Sequence, residues 1–195
     1  MAVAFSEKER ESIINALRKA AAEHAARDGM RKTTVDELAS EAGISKGAFY
    51  KFYDSKEHLF LDMLSKWHQS IFDAAQAVLD GRSDLNGCEQ AALLLKTACR
   101  LIRKQGLDNF CADELPILLR KLPDQLVEER YQTDDEFILH LIDQAGMRLL
   151  VSRDEACTMV RIIFLSLTHQ TQVGAHFEAA LDGIIDCVCS RLVLP

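Results

Sequence analysis

"GISKGAFYKFYDSKEHLF", residues 43–60, sets two phenylalanines, two tyrosines and a lysine in five consecutive positions, Phe49 to Tyr53. A core segment would not carry the lysines, and an exposed one would not carry so many rings. Placing residues 46–53 on a helical wheel resolves the conflict. Lys46, Gly47, Tyr50 and Lys51 fall within one arc of about 140°, and Ala48, Phe49, Phe52 and Tyr53 fill the opposite arc. The aromatic side anchors a helix too short to stand alone. The basic side is left facing outward. Glycine inside a helix costs about 1 kcal/mol relative to alanine, and it suits a place where another backbone must come close.

The flanks extend this reading. In "TTVDELASEAG", residues 33–43, Thr34 and Glu37 have capping-box spacing, so a helix starts at Thr34. Val35, Leu38 and Ala39 give it an apolar face. Gly43 suits a sharp turn of positive φ, Ser45 caps the short helix over about 46–52, and Ser55 caps a long one from Lys56 to near Leu79. Two helices joined by a tight turn, the second with a basic outer face, make a helix-turn-helix. In that motif the second helix enters the major groove of DNA. Arg31 and Lys32 precede its first helix. Lys56 sits in the first turn of the long helix, where an ammonium opposes the helix dipole unless an anion docks beside it.

Residues 33–60, "TTVDELASEAGISKGAFYKFYDSKEHLF", closely resemble the DNA-binding motif of TetR-family (tetracycline-repressor-type) transcriptional regulators. The resemblance implies that Thr34 contacts a phosphate and that Ser45, Lys46 and Gly47 lead the recognition helix. It puts Tyr50 and Lys51 against phosphates or base edges and makes Lys56 a phosphate clamp, with Arg31 and Lys32 beside them. Phe49, Phe52 and Tyr53 become core. Ala48 stands where the family often has a hydroxyl, and Lys51 where a ring is common. The family's architecture further implies a homodimer through the last two helices. The partners are then a pseudo-palindromic double-stranded DNA operator and a small-molecule effector, bound between the middle helices, that releases a repressor by shifting the fourth helix.

The 195-residue chain as a whole agrees with a helical body. It has three prolines and nine glycines, with 48% hydrophobic and 27% charged residues. No alternating strand pattern occurs, so the fold class is all-α with about nine helices. The first runs from Ser6 to Arg27 with a stripe of Ile13, Ile14, Leu17, Ala20, Ala21 and His24, and ends at Asp28-Gly29. Beyond the break at "DGRSDLNG", residues 80–87, helices are expected near 86–105, 112–121, 134–147, 153–172 and 176–192. The spacings Thr133/Glu136 and Ser152/Glu155 suggest caps. With these helices, the resemblance implies a DNA-binding domain over 1–54 and a ligand-binding and dimerisation domain over 55–195. The net charge of −7 lies wholly in the body, since residues 1–60 hold ten basic and ten acidic residues and residues 61–195 hold 13 and 20.

Several functions are disfavoured. The start "MAVAFSEKER" has no basic-then-apolar signal, and "RIIFLSLTHQ" falls short of the ~20 residues a membrane span needs. A cytoplasmic protein without a membrane partner is expected. The six cysteines have no paired spacing, and Cys187 and Cys189 point about 200° apart on a helix, so they read as small core residues rather than metal ligands. No catalytic constellation, metal site or cofactor motif stands out, and the chain is not expected to be an enzyme. "ACTMVRIIFLSL", residues 156–167, is apolar nearly all round and should be buried on two sides, against its own core and a partner. Candidate ligand contacts are Trp67, Ile71, Phe110, Met147, Phe164 and His169, each of which also suits plain core packing. The acids and apolar residues of the body favour a neutral or cationic hydrophobic ligand. Two alternatives stay open. The body binds a protein partner instead of a small ligand, or the chain is a small all-α metal- or cysteine-dependent enzyme.

Overall fold

The computed structural model describes residues 5–82, 84–104 and 108–195. Residues 1–4 of the expected signal-free start, Ser83 in the expected break and residue 105 at the expected end of the fifth helix lie outside them. Eleven helices occur among the described residues, where about nine were expected. They are α1 (Glu7–Arg27), α2 (Val35–Glu41), α3 (Lys46–Phe49), α4 (Lys56–Ala77), α5 (Gly87–Lys104), α6 (Asp108–Asp113), α7 (Leu115–Leu119), α8 (Asp124–Gln144), α9 (Arg153–Leu167), α10 (Gln170–Val173) and α11 (Phe177–Leu192). The described residues hold no strand, only an isolated antiparallel bridge between Leu149 and Val193.

The chain divides into two compact units. One comprises the residues up to Trp67 together with Asn109–Pro123, and the other comprises His68–Asp108 and Asp124–Pro195. The division into units falls inside α4, and a segment from mid-chain belongs to the first unit.

In the first unit, capping chemistry sets the helix starts. Ser6 and Glu9 form a reciprocal capping box on α1, and Thr34 and Glu37 form one on α2. The Ser45 hydroxyl accepts from Ala48 N–H (3.2 Å), and that of Ser55 accepts from His58 N–H (3.3 Å). Gly29 (φ +79°) and Gly43 (φ +70°) take left-handed backbone at the two sharp turns, which L side chains adopt only under strain. Leu17, Ala20, Ala21 and His24 are buried along α1. His24 is a hydrogen-bonded core residue, its Nε2 lying 3.0 Å from Glu41 Oε1.

The middle of the chain departs from expectation at its prolines. One helix was expected over 112–121, but the chain makes α6 and α7 with Glu114 between them. Pro116 lies in the first turn of α7, where it has no N–H to give and its ring obstructs the preceding turn. α8 starts at Asp124, directly after Pro123, ten residues before the expected start. Thr133 is no cap: its hydroxyl donates to Glu129 O inside the helix (2.8 Å). The expected helix over 153–172 breaks after Leu167. The Ser166 and Thr168 hydroxyls there bond back to Ile163 O and Leu165 O, competing with the backbone ladder.

The second unit packs α5, α8, α9 and α11 around Ala156, Val160, Ile163, Leu167, Leu181 and Ile185. Residues 192–194 are stitched to the α8–α9 connection. Leu150 N–H donates to Leu192 O and Leu194 N–H to Arg148 O, both at 2.8 Å. α9 is buried on one side only within the chain. Ile162 is 62% exposed and Leu165 59%, and Ile184 of α11 is 54% exposed. Cys99, Cys157 and Cys189 are buried as small core residues, but Cys187 is exposed.

Candidate nucleic-acid interface

The short α3 sorts its residues as its two-faced pattern requires. Phe49 is fully buried, and its ring meets that of Tyr53 at 6.0 Å. Ala48, Phe52 and Tyr53 are partly buried, while Ser45, Lys46, Gly47, Tyr50 and Lys51 are exposed. α3 proper ends at Phe49, and the chain continues in tighter turns to Tyr53, with Lys51 N–H bonding to Ala48 O (3.0 Å) and Phe52 N–H to Phe49 O (2.9 Å). Tyr50 is 51% exposed. Space around Gly47 is open, with no atom within 4 Å of where a Cβ would lie.

The exposed Lys46 is only loosely engaged. Lys46 Nζ donates to Asp36 Oδ2 at 2.7 Å, between two exposed side chains. Such surface pairs contribute at most about 1 kcal/mol and exchange readily for another anion. Lys51 Nζ lies 5.6 Å from the centre of the Phe5 ring. Lys32 and Thr34 are exposed on the connection into α2. Lys56 is placed differently. Its ammonium donates to Met30 O (2.8 Å) and Thr33 O (2.6 Å). Burial lowers its pKa, against the opposing charge of Glu57. The ammonium thus answers the carbonyls of the α1–α2 connection.

Two groups far from the motif in sequence complete the site. Arg18 of α1 makes a bidentate pair with Asp62 of α4, both bonds at 2.8 Å. The Tyr53 hydroxyl donates to the same carboxylate, so one carboxylate ties α1, the end of the α3 segment and α4 together. The Tyr53 phenol is pushed well above its ordinary range, first by burial and then by Asp62. Glu114, between α6 and α7, accepts from Arg31 N–H (3.2 Å) and Arg31 Nε–H (2.9 Å). Lys121 after α7 pairs with Glu57 of α4 at 2.9 Å, and Phe110 stacks on Phe60 at 5.7 Å. Nothing in the local sequence of 33–60 pointed to Arg18, Asp62 or Glu114, because their partners are set by tertiary packing.

The second unit holds an apolar cavity of about 50 Å³. Phe72, Leu94, Ile138, Met147, Val160 and Phe164 are among the side chains around it. Of the sequence candidates for ligand contact, Met147 and Phe164 line it. Trp67 and Ile71 are buried on α4, and Phe110 belongs to the first unit. His169 is exposed before α10, with Nδ1 2.9 Å from Gln172 Oε1. No group of three or more metal-ligating side chains occurs among the described residues. No helix among them is long and apolar enough to cross a membrane.

Comparison with known proteins places the motif. Residues 17–63 match the family described as "Bacterial regulatory proteins, tetR family". A stretch of 47 residues is 47% identical to YuxN, an uncharacterized HTH-type transcriptional regulator of Bacillus subtilis (strain 168), and covers 24% of this chain and 16% of that protein. A stretch of 36 residues is 58% identical to YerO of the same organism, also an uncharacterized HTH-type transcriptional regulator, and covers 18% of this chain and 12% of that one. The matches thus span less than a fifth of either relative's length. Among solved structures, Thermus thermophilus FadR, a TetR-family transcriptional repressor in complex with lauroyl-CoA, superposes with a TM-score of 0.65 at 19% identity over 95% of this chain and 96% of that one. Bacillus subtilis FadR in complex with stearoyl-CoA gives 0.59 at 16% identity over 93% and 98%. The chain therefore has the all-α fold of these regulators, and its helix-turn-helix head resembles that of the TetR family.

Proposed function

We propose that this chain is a DNA-binding transcriptional regulator, a homodimeric repressor released from a pseudo-palindromic operator by a small hydrophobic ligand. The observation that carries the DNA reading is α3: an aromatic side seated in the core and Lys46, Gly47, Tyr50 and Lys51 turned outward from a tight Gly43 turn. Ser45, Lys46 and Gly47 lead the helix into the groove. Tyr50 and Lys51 meet phosphate or base edges, and Arg31, Lys32 and Thr34 meet the backbone. Lys56 serves by holding the α1–α2 connection through Met30 O and Thr33 O rather than as a free phosphate clamp. Phosphate contacts fix register, and base contacts specify sequence.

Dimerisation is supported by the apolar faces of α9 and α11. Ile162, Leu165 and Ile184 are more than half exposed, and Met159, Ile184, Cys187 and Val188 border a shallow groove between these helices. A two-fold dimer presents two reading heads to half-sites one helical turn, ~34 Å, or a multiple apart.

The ligand reading rests on the apolar cavity of the second unit. At about 50 Å³ it is small beside the roughly 300–1,000 Å³ of ordinary ligand pockets, so a long acyl chain would have to part its walls. The acyl-CoA complexes of the two FadR proteins make acyl-CoA the first class to try, although the acidic body favours a neutral or cationic head. The ligand acts only if it binds the two conformational states with different affinity. Selection of bound duplexes from a random library tests DNA binding and half-site spacing together. Thermal-shift screening against lauroyl-CoA, stearoyl-CoA and neutral apolar compounds tests the ligand. Enrichment of no duplex would refute the regulator reading.

A further inference from the structure

Glu114 is the buried carboxylate among the described residues. Its side chain is 9% exposed, against 59% for that of its partner Arg31. It stands at the N-terminus of α7 but makes no capping bond there. Both of its oxygens turn instead to the connection before α2, Oε1 to Arg31 Nε and Oε2 to Arg31 N–H. Gly29 admits it: a Cβ at that position would lie 2.9 Å from Glu114 Oε1. The same connection is held from its carbonyl side by Lys56. A buried charge is tolerated only when paired and hydrogen-bonded, and Glu114 meets that condition with a single residue.

The manner of pairing matters. Arginine usually meets a carboxylate with two side-chain N–H groups. Glu114 takes only the Nε edge and fills its second oxygen with the backbone N–H. Both Nη groups of Arg31 are left without a protein partner among the described residues, on a side chain more than half exposed. A guanidinium has five donors in a rigid fork, so the outer edge can still take a phosphate while the inner edge is fixed. We propose that Glu114 is a positioning residue of the DNA interface, holding Arg31 by Nε and backbone N–H so that its Nη groups face a backbone phosphate. This role rests on the DNA-binding reading above.

A double-mutant cycle on a duplex selected by the full-length wild type tests it, with affinity measured across a salt series. Arg31→Ala should weaken binding about fivefold near 0.15 M salt and lower the salt slope by about one, the loss of one counterion's release. Glu114→Gln keeps the volume but not the paired acceptors, and should give the same loss on every sequence alike. Arg31→Ala combined with Glu114→Gln should be no worse than Arg31→Ala alone. A further loss in the double variant shows that Glu114 acts through the fold and overturns the role. Tighter binding by Glu114→Gln shows that the carboxylate withholds Arg31 and also overturns it. Should Glu114→Gln melt below the assay temperature, Arg31→Lys is measured instead. It keeps the charge and removes the Nε edge, so unchanged affinity overturns the role and a fivefold loss supports it. A wild type that selects no duplex overturns the DNA reading and this role with it.

Discussion

At the scale of single residues, the Lys46 and Lys51 side chains should separate positioning from reading. Lys51→Ala should weaken binding to all duplexes alike and lower the salt slope by about one unit, as loss of a phosphate contact does. Lys46→Ala should also change the preferred bases if Lys46 reads an edge, at about 1–3 kcal/mol of discrimination for that position. Fluorescence anisotropy on the selected operator and on single-base variants measures both. Wild-type behaviour from both variants would remove α3 as the reading element. Glu37 gives a pH prediction. The Thr34 hydroxyl and then the Thr34 backbone N–H hold its pKa below the ordinary 4.5. A carboxylate lowered in the folded state contributes stability above its unfolded pKa and loses it as pH falls through the folded value. Glu37→Gln should therefore make acid unfolding below about pH 4.5 less steep in urea titrations at stepped pH. The inner and outer residues of α3 were legible in its sequence because a short helix has only two faces to assign. The part of Lys56 was not legible. Its ammonium is taken by carbonyls brought near through the α1–α2 turn, and no local spacing encodes that.

At the scale of elements, capping chemistry was read well where a cap was followed by an apolar stripe, as at Thr34, Ser45, Ser55 and Ser152. It misled at Thr133, where the same spacing occurs in mid-helix and the hydroxyl turns back to Glu129 O. A capping pair is a start signal only if the preceding residues are not already helical, and the run after Pro123 was. The split of the expected 112–121 helix has a structural result. It leaves Glu114 at a break between two helices, where its buried side chain reaches the α1–α2 connection. The link between Gly87 and residues 192–194 carries another prediction. A Cβ on Gly87 would lie 2.6 Å from Leu194 O and 3.0 Å from Val193 Cγ1. The nearest atom is backbone and cannot swing aside as a side chain would. Gly87→Ala should destabilise by about 1–3 kcal/mol, as overpacking does. It should also speed hydrogen exchange at the Leu150 and Leu194 amides, whose bonds close the bridge. Unchanged exchange with an unchanged melting temperature would mean the segment moves aside at no cost.

At the scale of the whole molecule, the apolar faces of α9 and α11 decide whether one chain is the working unit. The sequence predicted that α9 would be buried on two sides, against its own core and a partner. Within the chain it is buried on one, with Ala156, Val160, Ile163 and Leu167 inward and Ile162 and Leu165 outward. Exposed apolar area of this kind, shared by two adjacent helices, is what an obligate interface needs. If the faces meet a second copy, Ile162→Glu with Ile184→Glu should yield a monomer by sedimentation while helix content stays at the wild-type level. Each head of that monomer still has α3, so affinity for an isolated half-site should hold. Affinity for the full operator should fall to the half-site value, because the second head no longer binds at raised effective concentration. Cys187 supplies a check on the unmodified protein. It is exposed within the chain, whereas Cys99 and Cys189 are buried and burial pushes both thiols up to about 12. A thiol reagent at pH 8 should label Cys187 first in dilute protein and spare Cys99 and Cys189. Raising the protein concentration should then slow Cys187 labelling as copies pair across this face. A Cys187 labelling rate independent of concentration, in protein that sediments as a dimer, would place the interface on another surface.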